Sequence, residues 1–166
     1  MRKVMLAVFM TIAISASAQQ IDLKSLDKFA EKAKEKTEIT MDEEMLKSAS
    51  SVLNSNKAGE AAARKNIEGL KGIYLRAYEF DDATAFKLED LKPLTDQLKA
   101  PNWTAFLRNK EDDEQTEIWL HRTNGMIDGL LLIAAEKNEL TVINAVGLTR
   151  IEDLSKLGDL GLPTIK

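Results

Sequence analysis

His121 is the only histidine of the chain, and there is no cysteine. The usual zinc ligand sets, a His–His proton relay and a cysteine nucleophile are excluded on that count. Glu117 and Trp119 stand at alternate positions before His121. In that setting the histidine reads as a sheet-face residue with no special task; its other reading is a general base or a pH-sensing group. No Gly-x-Ser-x-Gly elbow is present, and no second histidine could activate a serine. The glycines are scattered singly, so no phosphate-cradling loop forms. Glu111, Asp112, Asp113 and Glu114 group their carboxylates, and calcium takes about six or more oxygens. The spaced Asp/Asn pattern and the turn glycine of a calcium loop are missing, which leaves a solvated hairpin tip. Glu79, Asp81 and Asp82 could supply the paired carboxylates of a hydrolase. Adjacent acids after a strand more commonly make its turn. No catalytic residue, metal ligand or cofactor is expected from these patterns.

A binding surface is better represented. Tyr74, Arg76, Tyr78 and Phe80 alternate along one segment, and Trp119 and His121 along another. Aromatic and arginine side chains supply much of the contact energy of interfaces. If strand pairing brings these rows together, Tyr74, Arg76, Tyr78, Trp119 and His121 form a candidate surface for a protein partner. The alternative is that the N-terminal helices lie on the band and bury it as a second core.

The elements that must position these residues follow an address. Arg2 and Lys3 precede an apolar run over 4–15, and Ala16-Ser17-Ala18 offers a small-x-small cleavage site before Gln19. This is the order of a secretory signal peptide, and the run falls short of the roughly 20 residues of a membrane span. Cleavage between Ala18 and Gln19 places the mature chain in the periplasm or outside the cell. With Gln19 where a lipoprotein needs cysteine, it is expected to be soluble, with no transmembrane segment. The full chain has 166 residues and a formal charge of −4; losing Arg2 and Lys3 makes the charge about −6. An acidic domain without a basic stripe is a poor partner for nucleic acid.

Residues 19–66 are expected to form a helical N-terminal segment. Leu23, Leu26, Phe29 or Ala30, and Ala33 recur at helical spacing. Thr40 and Glu43 make a capping-box signature for a second helix with Met41, Met45, Ala49 and Val52 as its stripe. Residues 58–64 form a further short helical turn. The remainder, 67–166, is the sheet portion of the same domain. Period-two alternation marks a strand at 72–80, and Leu88, Leu91, Leu94 and Leu98 mark a helix. An antiparallel meander follows at 103–108, 115–122, 127–135 and 140–146. Asn124-Gly125 makes its firmest hairpin signal, because both turn positions need positive φ. Residues 129–135 are apolar on both faces and belong in the sheet's interior. Thr149 with Glu152 starts a C-terminal helix carrying Ile151, Leu154 and Leu157. The fold class is α+β: a mainly antiparallel sheet of about five strands with helices packed on it.

The stretch 69–80, Leu98-Lys-Ala-Pro-Asn-Trp103, 129–135, 139–147 and the tail 154–163 are together similar to a family of short exported bacterial proteins, domain of unknown function 4252. The resemblance implies export, a small α+β domain and an envelope or signalling role, and it supplies no catalytic residues. The expected function is thus that of an exported, non-catalytic envelope protein that binds a protein partner, as a sensor or accessory. The alternatives are self-association through the doubly apolar strand, giving a homo-oligomer, and a hydrolase using Glu79, Asp81 and Asp82.

Overall fold

A computed structural model describes residues 19–53, 56–67 and 69–147. The leader 1–18 and the expected helix from Thr149 lie outside the described residues. Six strands form one antiparallel sheet in the order β1-β2-β6-β5-β4-β3. They are β1 Glu35–Asp42, β2 Leu70–Glu79, β3 Trp103–Glu111, β4 Glu114–Thr123, β5 Met126–Glu136 and β6 Glu139–Gly147. The fold is α+β, with one more strand than the hydrophobic pattern gave.

The additional strand is β1, inside the segment expected to be helical. Its burial is almost uniformly low, because it is an outer strand whose sides meet little but solvent. No apolar alternation was there to read; the β-branched Thr37, Ile39 and Thr40 were the local signal. β1 then runs directly into α2 (Glu43–Val52), whose N-cap is Asp42 and not Thr40. The Asp42 carboxylate accepts from the Met45 N–H at 2.9 Å, satisfying one orphan donor of the first turn. The shift in start moves the buried side as well. Leu46 is buried, while Met45 and Val52 of the expected stripe are exposed.

Before β1, residues 24–26 form a single 3-10 turn and α1 (Asp27–Ala30) follows it. The α3 helix (Ala58–Ile67) leads into β2. Between β2 and β3 the chain takes a 3-10 turn at Leu88–Leu91, α4 (Lys92–Thr95) with Pro93 at its first turn, and a 3-10 turn at Asp96–Lys99. Proline there forfeits only a hydrogen bond that no helix start makes. Asn124 and Gly125 take φ of 53° and 81°, as the hairpin between β4 and β5 requires. The acidic run is likewise a tight turn: Glu111 pairs Glu114 across Asp112 and Asp113. No helix among the described residues is long and apolar enough to cross a membrane.

Directly paired residues of an antiparallel sheet point to the same side, so the register defines two faces. On the first, Tyr74 pairs Asn144, Asn144 pairs Leu131 and Leu131 pairs Trp119. The next row is Arg76, Val142, Ile133 and Glu117. This face is covered. Ile21, Leu23, Leu26 and Phe29 of the N-terminal segment, with Phe86, Leu91, Leu94 and Leu98, pack on Leu131, Ile133, Leu140 and Val142. Phe29, Phe80 and Phe86 meet with centroids 5.3–6.4 Å apart, in the edge-on and tilted arrangements that aromatic quadrupoles favour. The second face carries Leu120, Leu130 and Ala145, flanked by Ile118, Ile127 and Leu132.

Candidate functional site

The five candidate residues do share one face, but they do not meet. β6 and β5 separate the β2 row from the β4 row, a distance of about 14 Å at ordinary strand spacing. The gap is filled by Asn144, Leu131, Val142 and Ile133, under the cover formed by residues 21–29 and 86–98. Tyr78 and His121 are 2% and 1% exposed; Tyr74, Arg76 and Trp119 are half-buried.

Each row instead fastens the outer strand beside it. On the β1 side, the Tyr78 hydroxyl donates to Glu38 at 3.2 Å. Burial first, and then the Glu38 carboxylate, push this phenol far above its ordinary value. Arg76 reaches the Ile39 carbonyl and the Thr40 hydroxyl at 3.4 and 3.5 Å and lies 3.6 Å from the Asp27 carboxylate. On the β3 side, the Trp119 indole donates to Glu117 at 2.6 Å, and Arg108 of β3 approaches the same carboxylate at 3.3 Å. The Arg108 guanidinium lies 4.7 Å over the Trp119 ring, a cation–π stack. Glu117 is thus a buried carboxylate with one hydrogen-bond donor and one paired cation, the kind of partnering a buried carboxylate needs.

His121 sits in a second polar cluster. The register slips between His121 and Arg122, and the extra residue on β5 is Asp128. A bulge re-aims a side chain, and here it brings the Asp128 carboxylate to the histidine ring. His121 Nδ1 stands 2.6 Å from Asp128 Oδ1, and the Gln19 amide donates to Asp128 Oδ2 at 2.7 Å. Burial opposes ionisation of Asp128, but its interactions with His121, Thr123 and the Gln19 amide outweigh it and hold the carboxyl below its usual range. The ring stacks edge-on against Trp103 at 5.2 Å. One row away, the fully buried Asn144 accepts from the Ile21 N–H at 2.9 Å and donates to the carbonyls of Gln19 and Leu130. These contacts pin residues 19–21 to the middle of the sheet.

An Asp–His pair is two-thirds of a nucleophilic triad, and the missing third belongs at the outer ring nitrogen. Nε2 of His121 is buried and has no hydrogen-bond partner among the described residues. The pair anchors Gln19, and among the described residues no hydroxyl meets the outer ring nitrogen. Glu79 and Asp81 face Lys34 at 3.5 and 3.6 Å, while Asp82 accepts from the Thr84 N–H and hydroxyl at 2.8 Å. These carboxylates build a turn and its ion pairs. Among the described residues no group of three or more His, Asp or Glu side chains is gathered to hold a metal ion. A cavity of about 640 Å³ opens between α2 and the β4–β5 hairpin, lined by Leu46, Met126, Glu43, Lys47 and Asp128 among others. Its Lys47 is already paired with Glu43 at 2.7 Å.

The outer side of β3 was not singled out in the sequence. Phe106 is 57% and Leu107 37% exposed, beside a register slip between Ala105 and Leu107 that leaves Phe106 unpaired. The signal was available: two large apolar residues in succession break the alternation of a half-buried strand, as a bulge does.

The family described as Domain of unknown function (DUF4252) matches residues 29–157. No curated protein and no solved structure matches the chain.

Proposed function

This chain belongs to the DUF4252 family, and on that premise we propose that it is an exported, non-catalytic envelope protein that binds a protein partner along the outer edge of β3. Export rests on the basic, apolar and small-residue order of residues 1–18. The partner reading rests on one observation: the outermost strand at the β3 side presents Phe106 and Leu107 to solvent. An exposed apolar outer strand invites strand pairing, and proteins that avoid pairing place charges there. Strand addition supplies affinity through main-chain hydrogen bonds and specificity through alternate side chains. Arg108, two residues along the strand from Phe106, is stacked on Trp119, adding the residue types that interfaces favour. The partner is an extended segment of another envelope protein, and the chain serves it as a sensor or accessory.

The test begins with cell fractionation and N-terminal sequencing, which should place the chain in the soluble envelope fraction starting at Gln19. Native size separation should then show a complex larger than one copy. Phe106→Lys with Leu107→Lys should abolish that complex while circular dichroism stays unchanged, and Ile39→Lys on β1 should leave it intact. A complex indifferent to the β3 changes ends the partner reading. A complex that contains only this chain, and disappears with them, assigns the edge to self-association.

A further inference from the structure

Resting on the export reading, in which cleavage after Ala18 makes Gln19 the first residue, we infer that Asp128, Asn144 and Gly129 form a seat for the new amino terminus. The seat keeps Gln19 from closing on its own amino group to pyroglutamate. An amino-terminal glutamine carries its own electrophile. The lone pair of the α-amino nitrogen attacks Cδ of the side-chain amide, a five-membered ring closes, and the Cδ–Nε2 bond breaks. One proton passes from the amine to Nε2, which leaves as ammonia, and no oxidant or co-reactant is needed. The product has lost its terminal charge. Closure requires the amine to come within about 3–3.5 Å of Cδ in the right orientation.

Gln19 is held at several points. Its side-chain amide donates to Asp128 Oδ2 at 2.7 Å, and Oδ1 of the same carboxylate is held by His121 Nδ1 at 2.6 Å. Its backbone carbonyl accepts from the Asn144 amide at 3.1 Å, and that side chain also takes the Ile21 N–H at 2.9 Å. Beneath it β5 has no side chain at Gly129, where a Cβ would stand 3.1 Å from Gln19 Cβ and 3.0 Å from His121 Cβ. The glycine leaves the room that Gln19 occupies. All these contacts use atoms that cleavage before Gln19 leaves in place. During closure Nε2 changes from a planar donor into an amine that must gain a proton. Burial works against ionisation of Asp128, but its interactions with His121, Thr123 and Gln19 hold the carboxyl below its usual range. It therefore accepts from Nε2 and has no proton to lend it. The bond belongs to the open glutamine and is given up on the way to the ring. An interaction stronger in the ground state than in the transition state slows the reaction.

Cyclisation can be followed in vitro on a chain released at Gln19 from a removable leader, by loss of ammonia in the mass spectrum and loss of amine labelling. The folded chain should cyclise about tenfold or more slowly than the same chain unfolded in guanidinium chloride, the effect of one charge-assisted hydrogen bond lost at the transition state. Asp128→Ala should recover most of the unfolded rate, with near-ultraviolet circular dichroism reporting that the core is still packed. The comparison of folded with unfolded chain needs no variant, so it stays decisive if Asp128→Ala does not fold. Equal rates in the two states would overturn the inference, as would a folded Asp128→Ala chain that cyclises as slowly as the native one. Pyroglutamate at the start of the chain recovered from cells would overturn it too. A cellular chain that keeps residues 1–18 would end the export reading, and with it the seat's role in cells, while leaving the rates measured in vitro as they are.

Discussion

The two outer strands are held in the same way and face solvent differently. β1 is fastened by Tyr78 and Arg76 of β2, and β3 by Glu117 and Trp119 of β4 through Arg108. In each case the aromatic row of the inner strand is spent on holding the strand outside it. β1 then meets water with Glu35, Lys36 and Glu38 and a single exposed large apolar residue, Ile39. β3 meets water with Arg108, Lys110 and Glu111 and with two exposed large apolar residues, Phe106 and Leu107. Charges on an outer strand discourage pairing, and apolar groups there invite it. Both edges carry charges, and they differ in the exposed apolar pair Phe106 and Leu107, on which the proposed partner site rests.

Damage to the strands between the edges should abolish the contrast altogether. Leu131 is fully buried between Asn144 and Trp119, and Leu131→Ala should cost about 2–5 kcal/mol, measured by urea unfolding. Both outer strands should lose hydrogen-exchange protection together; loss at one alone would mean the sheet is not a single cooperative unit. Glu117→Ala removes the acceptor for Trp119 and the partner of Arg108, and should cost about 1–3 kcal/mol. Its exchange effect should fall on β3 and spare β1. Equal loosening of both strands would deny that each is fastened by its own neighbour.

Acid should act on the β3 side as well. The Asp128 carboxyl is held below its ordinary value by His121, Thr123 and Gln19 against burial. A depressed folded value contributes stability above the unfolded carboxylate range, and that stability is lost as pH falls through the folded value. Acid titration of stability should therefore show a limb that Asp128→Asn flattens. An unchanged limb would assign the acid sensitivity elsewhere. The smallest effect belongs to Arg108→Ala. Its side chain is 61% exposed, so the pair adds under about 1 kcal/mol. Trp119 fluorescence should still shift as the stacked guanidinium leaves.

The sequence was most legible where side chains alternate between core and water. The meander through β3, β4, β5 and β6 follows from that alternation and from Asn124-Gly125, whose positive φ values the structure reproduces. It was least legible at β1, where both sides of the strand meet solvent and the capping pattern at Thr40 pointed to a helix. The aromatic rows were visible as rows and do share a face. That β6 and β5 separate them depends on strand order, which periodicity does not encode. The Gln19–Asp128 and Asn144–Ile21 contacts join residues more than a hundred positions apart. A bulge at Asp128 and a buried amide at Asn144 make them, and neither has a local pattern.

The most direct test of edge selectivity is photo-crosslinking in living cells. A photoreactive residue is placed in turn at Phe106 and Leu107 on β3 and at Lys36 and Glu38 on β1. The account predicts one discrete crosslinked product from the β3 positions and none from β1. Products of equal yield from both strands, or from β1 alone, would contradict it.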